Sequence, residues 1–137
     1  MNVGIGLPNT NAGVDRQLML TWASQADAGP FTSLGVLDRV VDDSYEPLIT
    51  LAAAAAVTQR VRLATTIIIS PLRSTGILAK AAASVDALSE GRLVVGVAIG
   101  ARHQDYEAIN VDYSNRGKVL SEQLDLLRGY WEDNHIG

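Results

Sequence analysis

The chain contains no cysteine. That excludes disulfides and thiolate metal sites, and it makes a reducing, cytoplasmic location the expectation. Histidine is almost as scarce: His103 and His135 are the only two, so metal-spaced histidines are missing and no metal site is expected. No Ser-His-Asp set is recognisable either. With so few acid–base groups, any catalysis rests on a bound cofactor that the protein orients.

Long apolar runs are also lacking. The longest, from Leu48 to Val57, is about half of the ~20 residues that a membrane span needs, so no membrane partner is expected. Met1-Asn2-Val3-Gly4 has no basic start, and the apolar stretch after it stops at Pro8, which is not the pattern of a signal peptide. Nor is there an excess of positive charge. The net charge is −4 and the eleven basic residues are scattered, which excludes a general nucleic-acid binder. No G-x-G-x-x-G follows the first strand, because Gly4-Ile5-Gly6 lies inside it; the dinucleotide fingerprint fails.

What is present is a regular alternation. The chain is 47% hydrophobic and 19% charged, the balance of a globular protein, and 137 residues suit one domain over 1–137. Largely apolar runs near 3–7, 33–37, 61–70 and 92–99 read as strands covered on both faces, the mark of a parallel sheet. Helical stripes fill the intervals: Val14, Leu18, Trp22 and Ala26; then Leu48, Leu51, Ala52 and Ala55; then Ile77, Ala81, Val85 and Leu88, with Gly91 as the cap. A loop from Gly100 to Ser114 precedes a last helix over 115–132, with Leu120, Leu124, Leu127 and Trp131 inward. The order is βαβαβαβα with a repeat of roughly 30 residues. It fits an α/β open doubly wound sheet or a (βα)4 half of an eight-fold barrel, and periodicity does not choose between them.

In both architectures ligands meet the carboxyl ends of the strands. That nominates Pro8-Asn9-Thr10, Asp38-Arg39, Ser70-Pro71-Leu72-Arg73 and Gly100-Ala101-Arg102-His103. Each has a plainer reading. Asp38-Arg39 also reads as a surface ion pair, Ser70-Pro71 as a strand end, and Arg73 as a helix entrance. Arg102, His103, Asp105 and Glu107 also read as a solvated loop, and Arg116 as one half of a structural salt bridge to Asp105 or Glu107. Gly100 is the more suggestive glycine, since close backbone approach to a ligand needs a missing side chain.

An ordered set of motifs carries a family resemblance. Gly4-Ile5-Gly6-Leu7-Pro8, Glu46-Pro47-Leu48, Thr58-Gln59-Arg60-Val61-Arg62-Leu63, Pro71-Leu72-Arg73 with Ala79-Lys80, and Asp86-Ala87-Leu88-Ser89-Glu90-Gly91-Arg92-Leu93 come first. Gly96-Val97-Ala98-Ile99-Gly100, Asp105-Tyr106-Glu107, and Arg116-Gly117 through Glu122 to Trp131 complete it. The set resembles the N-terminal half of the bacterial luciferase-like flavin monooxygenases. The resemblance implies a TIM (β/α)8 barrel and use of FMN, or alternatively the deazaflavin F420, for hydride transfer or oxygen activation on a small organic substrate. It also implies that most contacts to the cofactor phosphate belong to the other half of the barrel, and the tail after Glu132 reads as a cut.

Residue by residue, the resemblance assigns Asp38, Arg39, Thr66, Ile67, Ser70 and Gly100 to the cofactor site, with a non-prolyl cis bond at Thr66-Ile67. Arg39 stands where relatives often have His, and Ala101 where the deazaflavin sugar-phosphate dehydrogenases have Glu, so that activity is set aside. Half a barrel leaves its first and fourth strands as free edges and exposes residues of Leu93-Val94-Val95-Gly96-Val97-Ala98-Ile99. A homodimer or a complementary half-barrel chain is therefore the expected partner. The competing reading is a non-catalytic (βα)4 module that self-associates and binds no flavin.

Overall fold

Glu46 and Pro47 start a helix by two separate means. The Glu46 carboxylate accepts from the Ile49 N–H at 2.8 Å, and proline lacks only an N–H that a first turn does not use. Asp15 caps the preceding helix in the same way, accepting from Leu18 N–H at 2.8 Å. The computed structural model describes residues 1–133; His135 and the end of the expected tail lie outside it.

The elements are β1 (Gly4–Gly6), α1 (Arg16–Ala28), β2 (Ser33–Val36), α2 (Pro47–Val57), β3 (Arg62–Ile69), α3 (Thr75–Leu88), β4 (Leu93–Ala98), α4 (His103–Ala108) and α5 (Arg116–Glu132), with a 3₁₀ turn at Ser70–Leu72. The strands form one parallel sheet in the order β1-β2-β3-β4. An open doubly wound sheet reverses its strand order at a switch point. This sheet has no reversal among the described residues, so its topology is that of a (βα)4 half-barrel.

Strand alternation sorts the side chains cleanly. Leu34, Val36, Leu63, Thr65 and Ile68 face the helices and are buried, and with Leu51, Ala54, Leu78 and Ala79 they make the core. The other face carries Gly4, Gly6, Gly35, Ala64, Thr66, Val94, Gly96 and Ala98, and most of it is open. The exposure expected of the β4 run is thus divided: Val94 and Ala98 lie on the open face, while Leu93, Val95 and Val97 line grooves on the helix side.

Several expectations need correction. Of Val14, Leu18, Trp22 and Ala26, only Ala26 is buried in the inner stripe of α1; Leu18 is 45% exposed and Trp22 also lies outward, while Met19 and Ala23 take their places. In α3, Ile77 is 72% and Leu88 69% exposed, while Leu78, Ala79, Ala82 and Val85 face inward. A strict spacing of four drifts about 40° per step around a helix of 3.6 residues per turn. Close packing on the sheet also selects alanines and leaves bulky residues at the flanks. Along α5, Gln123 and Leu127 are the buried residues, Leu120 and Leu124 are half-buried, and Trp131 stays exposed. The segment after Gly100 is not all loop: His103–Ala108 is helical, anchored by buried Tyr106. A single buried aromatic among six residues gives no periodicity to read. The α3 cap is Ser89, with the left-handed turn on Glu90 and Gly91 (φ 57° and 79°).

At the amino ends of the strands, Asp27 holds the entry to β3. Its carboxylate accepts from the N–H groups of Gln59, Arg60 and Val61, each at 2.9 Å. Burial works against the charged form, but these three donors and the Arg60 charge outweigh it and keep the carboxyl below its usual range. A lowered pKa means stability that is complete above the unfolded value near 3.8 and lost as pH falls through the folded one. The site is solvent-screened, so we expect Asp27→Asn to cost only about 1 kcal/mol at pH 7 in urea unfolding. The gap to wild type should close as pH drops below 3.8.

Candidate active site at the carboxyl ends of the strands

The carboxyl ends are tied together by a buried ion cluster. Asp38, just beyond β2, is 6% exposed and accepts from Ile69 N–H at 2.8 Å and from both amino groups of Arg73, Nη2 lying at 3.0 Å. Nη2 also reaches Glu46 at 3.1 Å, the carboxylate that caps α2. Burial disfavours the guanidinium charge, yet the bonds and charges of Asp38 and Glu46 prevail and raise the Arg73 pKa further. Asp38 is therefore not the surface ion partner of Arg39. Arg39 lies apart on the rim, 3.6 Å from Asp42, which Arg102 also reaches at 3.2 Å.

The loop after β2 is pinned from two sides. Asn9 is fully buried, donating to Leu37 O at 2.7 Å and accepting from Leu37 N–H at 3.1 Å. Asp105 Oδ1 accepts from Val40 N–H at 2.9 Å. Among the described residues Arg116 makes no salt bridge to Asp105 or Glu107, contrary to expectation. Its guanidinium stacks 3.6 Å from the Tyr113 ring centre and donates to Tyr113 O at 2.9 Å. Burial pushes the Tyr106 phenol above its usual range, with Arg116 opposing, so it stays protonated at neutral pH and donates to Ile99 O.

Thr66 and Ile67 occupy the centre of the open face, and the bond between them is cis, as the resemblance implies. The β3–β4 register shifts between Thr65 and Ile68. There Thr65 Oγ1 accepts from Gly96 N–H and donates to Gly96 O, both at 2.8 Å, so a hydroxyl replaces the ladder. The strands on either side of Thr66 are bare. A Cβ on Gly35 would lie 3.1 Å from Thr66 Oγ1, and one on Gly96 would lie 2.5 Å from Thr65 O. Gly100 is closed to side chains twice over, by φ of +70° and by Ile69 at 2.9 Å.

Ser70 is brought close to Arg73 but presents no free hydroxyl. It is wholly buried, and its Oγ donates to Gln123 of α5 at 2.8 Å. Gln123 Nε2 donates in return to Arg73 O at 2.9 Å. The structure thus gathers Thr66 and Ile67 on the open face, turns Asp38 and Ser70 into supports, and leaves Arg39 at the margin. Sequence reasoning missed Thr65, Gly35 and Gln123. Of these, only Gly35, a glycine inside a strand, carried a readable signal. Two larger hollows lie elsewhere: about 430 Å³ between α2 and α3, and about 560 Å³ beside β4. Both open on the helix layer; the first begins at Glu46, Arg73 and Ser74 beside the ion cluster, and neither is lined by residues of the open face.

Comparison with known proteins agrees with this architecture. A profile of the luciferase-like monooxygenases matches residues 1–136, and the chain belongs to that family. Several solved structures are similar, among them three monooxygenases or reductases. Monooxygenase RslO1 from Streptomyces bottropensis is 27% identical with a TM-score of 0.85, over 96% of this chain and 43% of that one. The oxygenating constituent of 3,6-diketocamphane monooxygenase from Pseudomonas putida, solved with FMN, is 22% identical with a TM-score of 0.84, over 96% and 39%. The coenzyme F420-dependent tetrahydromethanopterin reductase from Methanopyrus kandleri is 19% identical with a TM-score of 0.77, over 94% and 40%. The chain spans about a third of the length of the curated relatives it matches. No helix of the described residues is long and apolar enough to cross a membrane.

Removing one member of a buried ion pair strands the other. Asp38→Ala should therefore cost about 3 kcal/mol in urea unfolding, somewhat less than a fully buried pair because the Arg73 side chain is 19% exposed.

Proposed function

We propose that this chain is the cofactor-facing N-terminal half-barrel of a flavin-dependent oxidoreductase. It would bind FMN, with F420 the alternative, and act on a small organic substrate by hydride transfer or oxygen activation. The observation that carries this reading is the bare platform around Thr66. Gly35 and Gly96 keep the neighbouring strands free of side chains, which gives a flat aromatic ring a surface to lie against.

The residues present fit such a group. A bound flavin supplies the redox chemistry. Thr66 and Ile67 would offer the surface that holds the ring. Asp38 and Arg73 hold the end of β3 in place, and Arg39 offers a charged donor at the rim. Arg39 stays protonated and cannot serve as a base. The free edges of β1 and β4 support closure of the barrel by a second copy or by a complementary half-barrel chain. The absence of cysteine is in keeping with a reducing, cytoplasmic location for this chain.

The test is size-exclusion chromatography with light scattering and absorbance in the flavin bands, with FMN and then F420 added. Co-elution of either cofactor with an assembled species is the expected result. A colourless assembly that ignores both would leave the non-catalytic module as the better reading. Gly35→Leu fills the platform and should weaken flavin binding at least about tenfold in a fluorescence titration, with far-UV circular dichroism unchanged.

A further inference from the structure

The amino ends of the strands carry a repeated device that the active-site reading does not use. Arg60, two residues ahead of β3, turns its guanidinium back onto the end of α1. It donates to Asp27 O at 2.7 Å and to Gly29 O at 2.9 Å. Arg92, just ahead of β4, does the same for α2: it reaches Thr58 O at 3.0 Å and Ala55 O at 3.4 Å, and it also takes Val61 O at 2.9 Å. In each case the strand that enters the sheet brings a cation to the helix two units back. Helix carboxyl ends leave unpaired carbonyls and carry partial negative charge, so a guanidinium there is doubly favoured.

The next place in this series is the last turn of α3, and the strand that would serve it is the one beside β4. Among the described residues the only cation at that turn is Arg92 itself, whose Nε donates to Ser89 O at 2.7 Å. Two features mark the position. The β4 edge is unpaired, and a groove of about 560 Å³ beside it is lined by Ala82, Ala83, Asp86, Leu93, Val95 and Trp131. Asp86 is the charged residue among those lining the groove, and it lies in the last turn of α3 much as Asp27 lies in the last turn of α1.

We propose that β4 and this groove accept a parallel strand preceded by an arginine, whose guanidinium seats on the last turn of α3 beside Asp86. This rests on the half-barrel reading and deepens it by stating the chemistry of the partner. A second copy of the chain does not supply that chemistry. Of its two free edges, β1 is preceded by Asn2 and Val3, and β4 by Arg92, whose guanidinium is already held by the Thr58, Val61 and Ser89 carbonyls of its own chain. The occupant is a segment of different sequence.

The test needs no flavin, so it is independent of catalytic activity. The isotope-labelled full chain is titrated with a soluble synthetic strand peptide of alternating valine and threonine headed by arginine, and with its glutamine-headed twin. The arginine peptide should shift the backbone amides of 93–98 and 85–89 and bind about fivefold tighter than its twin. Asp86→Asn keeps an acceptor for Leu93 N–H; it should erase roughly threefold of that preference and leave the glutamine peptide unaffected. Equal affinity for both peptides on the wild-type chain would overturn the proposal, as would shifts confined to residues away from β4. So would β4 amides already protected in a dimer of the chain alone.

Discussion

Much of the active end depends on one buried ion pair, Asp38 with Arg73. Asp38 closes β2, receives the N–H of Ile69 at the end of β3, and meets an arginine from the turn that follows. Arg73 passes the constraint on to Glu46, and so to the start of α2. Two strand ends and a helix start are thereby fixed by a single guanidinium. Taking these charges out of water is costly, and an apolar replacement would hold the elements together as well or better. What the pair adds is direction. Arg presents its donors in a rigid fork, so it sets the relative position of the groups it joins.

The opposite end uses arginine for a different purpose. Arg60 and Arg92 bind backbone carbonyls, not carboxylates, and each closes the helix two units back. This explains how a parallel sheet with few buried polar side chains avoids orphaned carbonyls at its crowded amino end. It also couples units that are not neighbours in sequence. Order in one βα unit then depends on the arrival of the strand two units on, a cooperative arrangement suited to a barrel.

Strand and helix order was legible because apolar runs and turn residues recur every thirty residues or so, and a parallel sheet needs little else to be recognised. The faces of the helices were less so. Ile77 and Leu88 are among the largest apolar residues of their helix, yet they face outward because alanines fit closer to the sheet. At the site, Gly35 and Gly100 were readable as glycines in strand positions, and Asp38 as a strand-end acid. That Ser70 turns away to Gln123, fifty-three residues on, was not. Long-range hydrogen-bond partners leave no periodic trace. The same holds for Thr65, whose hydroxyl repairs a ladder that the sequence gives no reason to think broken.

The open face poses the remaining physical problem. The interior of an eight-stranded barrel is normally filled by bulky branched side chains. Here its half-lining is mostly Gly4, Gly6, Gly35, Ala64, Thr66, Val94, Gly96 and Ala98, with Ile67 the one large branched side chain, too little to fill that space. The stability of these four strands must therefore come from the helix side, and the core is found there: Leu34, Val36, Leu63 and Ile68 against Leu51 and Leu78. A sheet stabilised from one side can leave its other side bare. Each missing side chain on the open face gives up burial that a packed interior would have provided. The loss is concentrated beside Thr66, where a Cβ on Gly96 would collide with Thr65 O and one on Gly35 would crowd the Thr66 side chain. Bulk from facing strands could fill the rest of the interior, but beside Thr66 the glycines of the flanking strands keep the surface bare.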